Sequence, residues 1–330
     1  MEVLFLILGF FTLIITFLDF FHTTLSGQGF GLMTGKLNKL LGKLILGNGN
    51  KLLLKYSGIL HLLITTLFWL IVLLVGSLLV FTSSPDMVVN SDTKLPAPFL
   101  DRIYYTGFVI STLGIGDFIP GNSFSKIITT CLSFSGFILL TTALTYLISV
   151  VNTVLQKKQL AIYISTLGTD INELYKTAIT PQGANMIVEN THSIREMIIK
   201  NSSNYIFFPI VQHYLSVNKN SSMELQLVRL YEVLVILNYQ YDKESTEAAK
   251  INSIIATIVS YIRLGVMDRE DYNFEALKLE KVRKFWSQHN MIYTPRPIAD
   301  EAINASLKSS GWDWEDVYEL KEKDASSFDT

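Results

Sequence analysis

Residues 112–117 read Thr-Leu-Gly-Ile-Gly-Asp, and they stand between two long apolar runs. A backbone whose successive carbonyls must turn toward one side needs φ > 0 at alternate positions, and only glycine takes that conformation without steric cost. The residues just before, 97–111 (APFLDRIYYTGFVIS), are apolar and aromatic. They are too few to cross a membrane core of roughly 30 Å, for which about 20 residues are needed.

Three other segments are long enough: residues 3–25, residues 56–81 with an extension from 51, and residues 124–154. Each is apolar nearly all round, unlike a soluble amphipathic helix. The first could be a cleaved leader, but it lacks a basic start and a small-x-small cleavage site, so it reads as a retained anchor. With 49% hydrophobic and 17% charged residues, the chain as a whole has a membrane composition. The two halves differ. Residues 1–156 hold six acids against eight bases and 15 of the 19 glycines, whereas the rest holds 23 acids against 19 bases. A boundary is therefore expected near Gln156. Cys131 is the single cysteine, which excludes an intrachain disulfide and a cysteine-based metal site.

Lysines set the orientation. Lys36, Lys39, Lys43, Lys51 and Lys55 lie between the first two spans with no acid among them, and Lys157 and Lys158 follow the third. The loop at 82–100 has Lys94 against Asp86 and Asp92. Residues 26–55 and everything after 156 are expected in the cytoplasm, and the N-terminus outside. Residues 34–46 (TGKLNKLLGKLIL) place Lys36, Lys39 and Lys43 on one face and leucines on the other. That pattern fits a helix on the inner leaflet near anionic lipid, or else a solvated connector between spans.

In this setting the short 97–111 segment reads as a half-spanning helix and residues 112–117 as its extended return. Non-helical backbone at membrane depth persists only where protein buries it or a watery cavity hydrates it. The carbonyls of Thr112, Leu113, Gly114 and Ile115, with Gly116 closing the run, would replace a dehydrated cation's water shell ring above ring. The Thr112 hydroxyl would add an oxygen at the inner end. Leu113 and Ile115 are expected to pack outward on the short helix. Asp117 would stand at the mouth, where a carboxylate raises the local cation concentration.

Over residues 51–158 the chain resembles the pore domain of tetrameric potassium channels, whose filter reads Thr-x-Gly-x-Gly-Asp. The resemblance implies potassium ions at Thr112, Leu113, Gly114 and Ile115, and no organic cofactor. It also implies a homotetramer, since one strand per chain cannot enclose an ion. Tyr104 and Tyr105 stand where the family places an aromatic pair bracing the filter, and Gly136 where its inner helix often has a hinge. Thr141, Thr145, Ser149 and Asn152 recur at spacings of four, four and three. They suit a water-lined face, or the packing of small side chains between membrane helices. Leu113 and Ile115 depart from the family's usual valine and tyrosine or phenylalanine, and Phe108 stands where some relatives pair a glutamate with the filter aspartate. A weakly selective cation pore is thus the nearest alternative. A non-conducting receptor built on the same scaffold is the alternative from another class, and the intact glycines speak against it.

The first span lacks the arginine repeat of a voltage sensor. Asp19 and His22 near its inner end read as polar capping residues, or as an ion pair or proton sensor. After Lys157 the pattern is helical. Expected helices are a continuation of the third span to 167, then 183–200, 205–217, 223–241, 245–264 (stopped by Gly265), 274–288 and 298–309. Ser221-Ser222-x-Glu224 and Glu244-Ser245 mark two starts. No Gly-x-Gly-x-x-Gly, EF-hand spacing or nucleophile–base pairing occurs, and His192, His213 and His289 are scattered. Neither an enzyme nor a nucleic-acid partner is expected, and the ligand or partner of this half is not legible.

The expectation is an all-α membrane protein of the plasma membrane: three transmembrane helices plus a re-entrant pore helix and filter, followed by an all-helical cytoplasmic domain. Its parts would be an anchor (1–25), an interfacial helix (26–50), the pore domain (51–156) and the cytoplasmic domain (157–330).

Overall fold

The computed structural model describes residues 2–47, 51–266, 286–287 and 297–318. It is an all-α membrane protein. Among the described residues three helices are long and apolar enough to cross a membrane: Glu2–Leu25, Leu53–Thr82 and Ser123–Ser165. In chain order, α1 is Glu2–Leu25, α2 Leu32–Gly47, α3 Lys51–Thr82, α4 Phe99–Ile110 and α5 Ser123–Ser165. Strands β1 (Val88–Asn90) and β2 (Phe118–Pro120) pair antiparallel, with Val88 opposite Pro120 and Asn90 opposite Phe118. The chain divides into two compact units, one of Met1–Lys43, Ile59–Val151 and Phe207–Ile210, the other of the remaining residues.

In the first unit, Leu13, Phe20, Trp69, Leu73, Phe81, Tyr105 and Phe108 share one core with Leu132 and Leu139. Helix α1 is part of that core. A Cβ on Gly9 would lie 2.7 Å from Val80 Cγ2 and 2.9 Å from the Gly76 carbonyl, so small residues let α1 and α3 approach closely. Phe20 meets Trp69 edge-on at 4.9 Å.

Below this contact the packing turns polar. Asp19 on α1 is 5% exposed and caps the start of α2. It accepts from the Met33 N–H at 2.8 Å, from the Thr34 N–H and hydroxyl, and from Trp69 Nε1 at 3.1 Å. Asn38 then donates to Thr65 Oγ1 at 3.1 Å. Asp19 forms no pair with His22, which is exposed; two backbone N–H groups at a helix start, a hydroxyl and an indole hold its carboxylate, a capping role. The packed face of α2 carries Thr34 and Asn38, and Leu40 and Leu44 are exposed along with Lys36, Lys39 and Lys43. Partners for Thr34 and Asn38 lie on α1 and α3, so burying them leaves few bonds unmade.

The second unit contains α6 (Ile171–Ile179), α7 (Pro181–Glu189), α8 (Thr191–Phe207), α9 (Met223–Asn238), α10 (Thr246–Val266), α11 (Pro297–Ser310) and α12 (Trp314–Val317). Helix α9 is its centre, with 13 of 16 residues buried and α6, α10, α11 and α12 around it. Two of its buried residues are charged. Arg229 donates to the carbonyls of Thr169 (2.7 Å) and Asp316 (3.0 Å), and Glu232 accepts from Tyr318 (2.8 Å) and Trp286 (3.3 Å).

Helix starts at 223 and 246 fall close to where the sequence placed them, as does 297–310. Other boundaries differ. The third span ends at Ser165, short of 167. The expected helix 183–200 is two helices, separated at Asn190. The expected helix 205–217 is replaced by the end of α8 and a 3-10 turn at Pro209–His213, because Pro209 has no N–H to continue the ladder. Helix α6 was not expected, although Asp170 caps it by accepting from the N–H groups of Asn172 and Glu173, both at 2.8 Å. Gly265 lies inside the last turn of α10 rather than ending it. Apart from 286–287, which are helical, the segment 274–288 lies outside the described residues.

Candidate functional site

The extended stretch is set in place from both sides. Before it, α4 is anchored by Arg102, 8% exposed, which donates to four carbonyls: Ala97 (2.9 Å), Phe81 (2.6 Å), Ser84 (2.9 Å) and Pro85 (2.9 Å). The last turn of α3 and its exit loop thus find donors for carbonyls that a helix end leaves unmet. One arginine fixes the start of α4 to the end of α3, a role that no sequence pattern signals.

The tyrosine pair divides its work. Tyr105 is 1% exposed, bonds Thr129 of α5 at 2.7 Å and packs edge-on against Phe81 and Phe108 at 5.0 and 5.1 Å. Tyr104 is 42% exposed and packs edge-on against Phe108 at 5.3 Å and Phe118 at 6.3 Å. The Asp117 carboxylate accepts from the Phe118 N–H at 3.0 Å.

Helix α4 ends in a Schellman motif: the Leu113 N–H returns to the Phe108 carbonyl at 2.9 Å and the Thr112 N–H to Val109 at 3.1 Å. The motif needs a left-handed residue after the cap, and Thr112 fills that place with φ 59°. Gly114 (φ 59°) and Gly116 (φ 92°) follow, so every second residue from Thr112 to Gly116 is left-handed. A Cβ on Gly114 or Gly116 would meet nothing within 4 Å; conformation, not space, demands glycine there. Leu113 and Ile115 are 68% and 51% exposed, contrary to the expectation that they pack on α4.

Beyond the strand, the Asp117 carbonyl accepts from the Ser91 N–H at 2.8 Å, and β2 continues the return against β1. Asn122 caps α5 through the Ser125 N–H at 2.7 Å. Helix α5 then runs unbroken through Gly136, whose missing side chain has a spatial cause: a Cβ would fall on the Ile110 carbonyl oxygen at the end of α4. Thr141, Thr145 and Ser149 donate to the carbonyls of Phe137 (3.0 Å), Thr141 (3.0 Å) and Thr145 (2.9 Å), so their hydroxyls are satisfied within the helix. Thr141, Thr145 and Asn152 are exposed beside Phe137, Leu140 and Leu144. An open cavity of about 510 Å³ is lined by Thr112, Thr129, Thr130, Ser133, Phe134 and Phe137. Among the described residues no cluster of acidic, histidine or cysteine side chains could hold a metal ion.

A family model described as "Ion channel" matches residues 64–153. The chain is also similar to a protein named "Uncharacterized membrane protein YdjJ" from Bacillus subtilis (strain 168), with 31% identity over 239 residues covering 71% of this chain and 70% of the relative. No solved structure matches.

Proposed function

This chain belongs to one family with that Bacillus membrane protein and carries an ion-channel domain, and on that premise we propose a homotetrameric, potassium-selective channel of the plasma membrane. Carbonyls of Thr112, Leu113, Gly114 and Ile115 take over the ion's hydration shell, with Gly116 completing the ladder. Asp117 concentrates cations at the outer mouth. The face bearing Thr141, Thr145, Ser149 and Asn152 lines the inner cavity. Residues 26–50 and the helical half lie in the cytoplasm, with Lys36, Lys39 and Lys43 near anionic headgroups.

The observation that carries this reading is the alternation of left-handed residues at Thr112, Gly114 and Gly116. It turns successive carbonyls toward one side, and a strand that a chain leaves bare on both flanks suits closure by symmetry-related copies. The test is flux in liposomes containing the purified protein, potassium against sodium, with Gly114→Ala as control. Potassium flux far above sodium, lost in the variant, is expected. Equal fluxes would place Leu113 and Ile115 in a weakly selective pore, and absence of flux for both ions in an open-gate preparation would sink the channel reading.

A further inference from the structure

The second unit holds a small polar cavity of about 40 Å³, with Thr153, Lys157, Tyr205, Gln212, Glu224 and Tyr261 in its wall. Two of these are charged and nearly buried: Lys157 Nζ lies 2.7 Å from Glu224 Oε1, with side chains 8% and 13% exposed. Lys157 also donates to the Tyr214 carbonyl at 3.1 Å. An ammonium has three protons to donate and an ionised carboxylate has two accepting oxygens. One Lys157 proton and Glu224 Oε2 therefore remain without a partner among the described residues, and both side chains border the cavity.

The phenols add directional groups. Tyr205 donates to Gln212 Oε1 at 2.7 Å, which turns its oxygen into an acceptor. Burial, reinforced by the neighbouring Glu224 and Tyr205, pushes the Tyr261 phenol well above its ordinary value, so it stays a donor at every working pH. A buried ion pair is a poor source of stability compared with apolar residues of the same volume, so its presence calls for another explanation. An open donor and an open acceptor of opposite charge, side by side on a cavity wall, supply one.

We infer that this cavity binds a small zwitterion, its ammonium on Glu224 and its carboxylate on Lys157 and Tyr261. The volume corresponds to about three waters, or one solute of about five heavy atoms, which selects a molecule of glycine's class and leaves no room for a nucleotide. Lys157 and Thr153 are on α5, so an occupant touches the helix that carries Thr141 and Thr145. Control of the pore by that contact rests on the channel reading; the binding itself does not.

Calorimetric titration of the full-length protein in detergent, with glycine, ethylamine and acetate as probes, tests the site. Saturable glycine binding at least tenfold tighter than either half-ligand is expected, with a tenfold or greater loss in Glu224→Gln. Ser309→Leu fills the cavity without touching the ion pair and should produce the same loss, which covers the case of a misfolded Glu224 variant. No saturable binding of glycine to the wild-type protein, or unchanged binding in Ser309→Leu, overturns the inference. Ion flux is not the readout, so failure here and failure of the channel reading are separate results.

Discussion

The strand Thr112–Gly116 and the helix α9 solve opposite problems. Helix α9 is finished within one chain: 13 of its 16 residues are buried, and its two buried charges have partners on neighbouring elements. The strand is fixed at both ends, by the α4 cap and the β1–β2 ladder, yet its middle meets nothing: Leu113 and Ile115 are exposed and the Gly114 and Gly116 positions face open space. Such a strand has its shape imposed by its own backbone chemistry, whereas the α9 bundle has its shape imposed by long-range packing. Substitutions should therefore unfold one region and disable the other.

The largest effect is expected at the packed end. Arg229→Met removes the two charge-assisted bonds to Thr169 and Asp316 and leaves both carbonyls without that donor. The loss should be about 2–5 kcal/mol, from two buried carbonyls left unsatisfied at about 1–3 kcal/mol each. Chemical unfolding in mild detergent, followed by the fluorescence of Trp286, Trp312 and Trp314, would measure it. A loss below about 1 kcal/mol would mean that α9 is not held as its hydrogen bonds indicate.

Two glycines near the strand separate space from conformation. Gly136→Ala drives a methyl into the Ile110 carbonyl and should destabilise the membrane unit by about 1–3 kcal/mol, as overpacking does. Gly107→Ala, inside α4 with nothing within 4 Å, should stabilise a single chain by about 0.5–1 kcal/mol through helix propensity. Thermal unfolding monitored by size-exclusion chromatography distinguishes them. A destabilising Gly107→Ala would sharpen the comparison by showing that another copy occupies the open side of α4.

This contrast also explains what was legible in the sequence. The left-handed turns at two positions could be read because backbone chemistry is local: Gly114 and Gly116 declare a conformation at their own positions. The left-handed Thr112 could not be read, since a threonine at that place has no glycine to advertise it; the α4 cap creates the need. Arg102 and Asp19 were invisible for a different reason. Their partners lie 21 and 50 residues away at the farthest, at Phe81 and Trp69, and no pattern in one segment announces a bond to another. Asp170 with Glu173 did carry a local signal for α6, an N-cap followed three residues later by an acid, and that signal went unused. In the second unit, the helix starts at Ser222 and Ser245 were visible. The pairing of Arg229 and Glu232 with the chain's far end, more than 80 residues on, was not.

The smallest expected effect bears most directly on the comparison. Thr112 holds φ 59° at the residue after the α4 cap, a place where a β-branched side chain costs about 1–2 kcal/mol relative to glycine. Glycine there gains freedom in the unfolded chain, which offsets part of that relief. Thr112→Gly should therefore raise stability slightly, by less than about 1 kcal/mol, while removing the hydroxyl oxygen at the inner end of the ladder. Thr112→Ser keeps the hydroxyl and sheds only the methyl. If the strand is shaped by its backbone and used through its oxygens, the glycine variant unfolds no more readily than the wild type but loses potassium flux, and the serine variant keeps it. A glycine variant that unfolds markedly earlier would mean that the threonine side chain holds the strand, and that this end of the stretch is built by packing as α9 is.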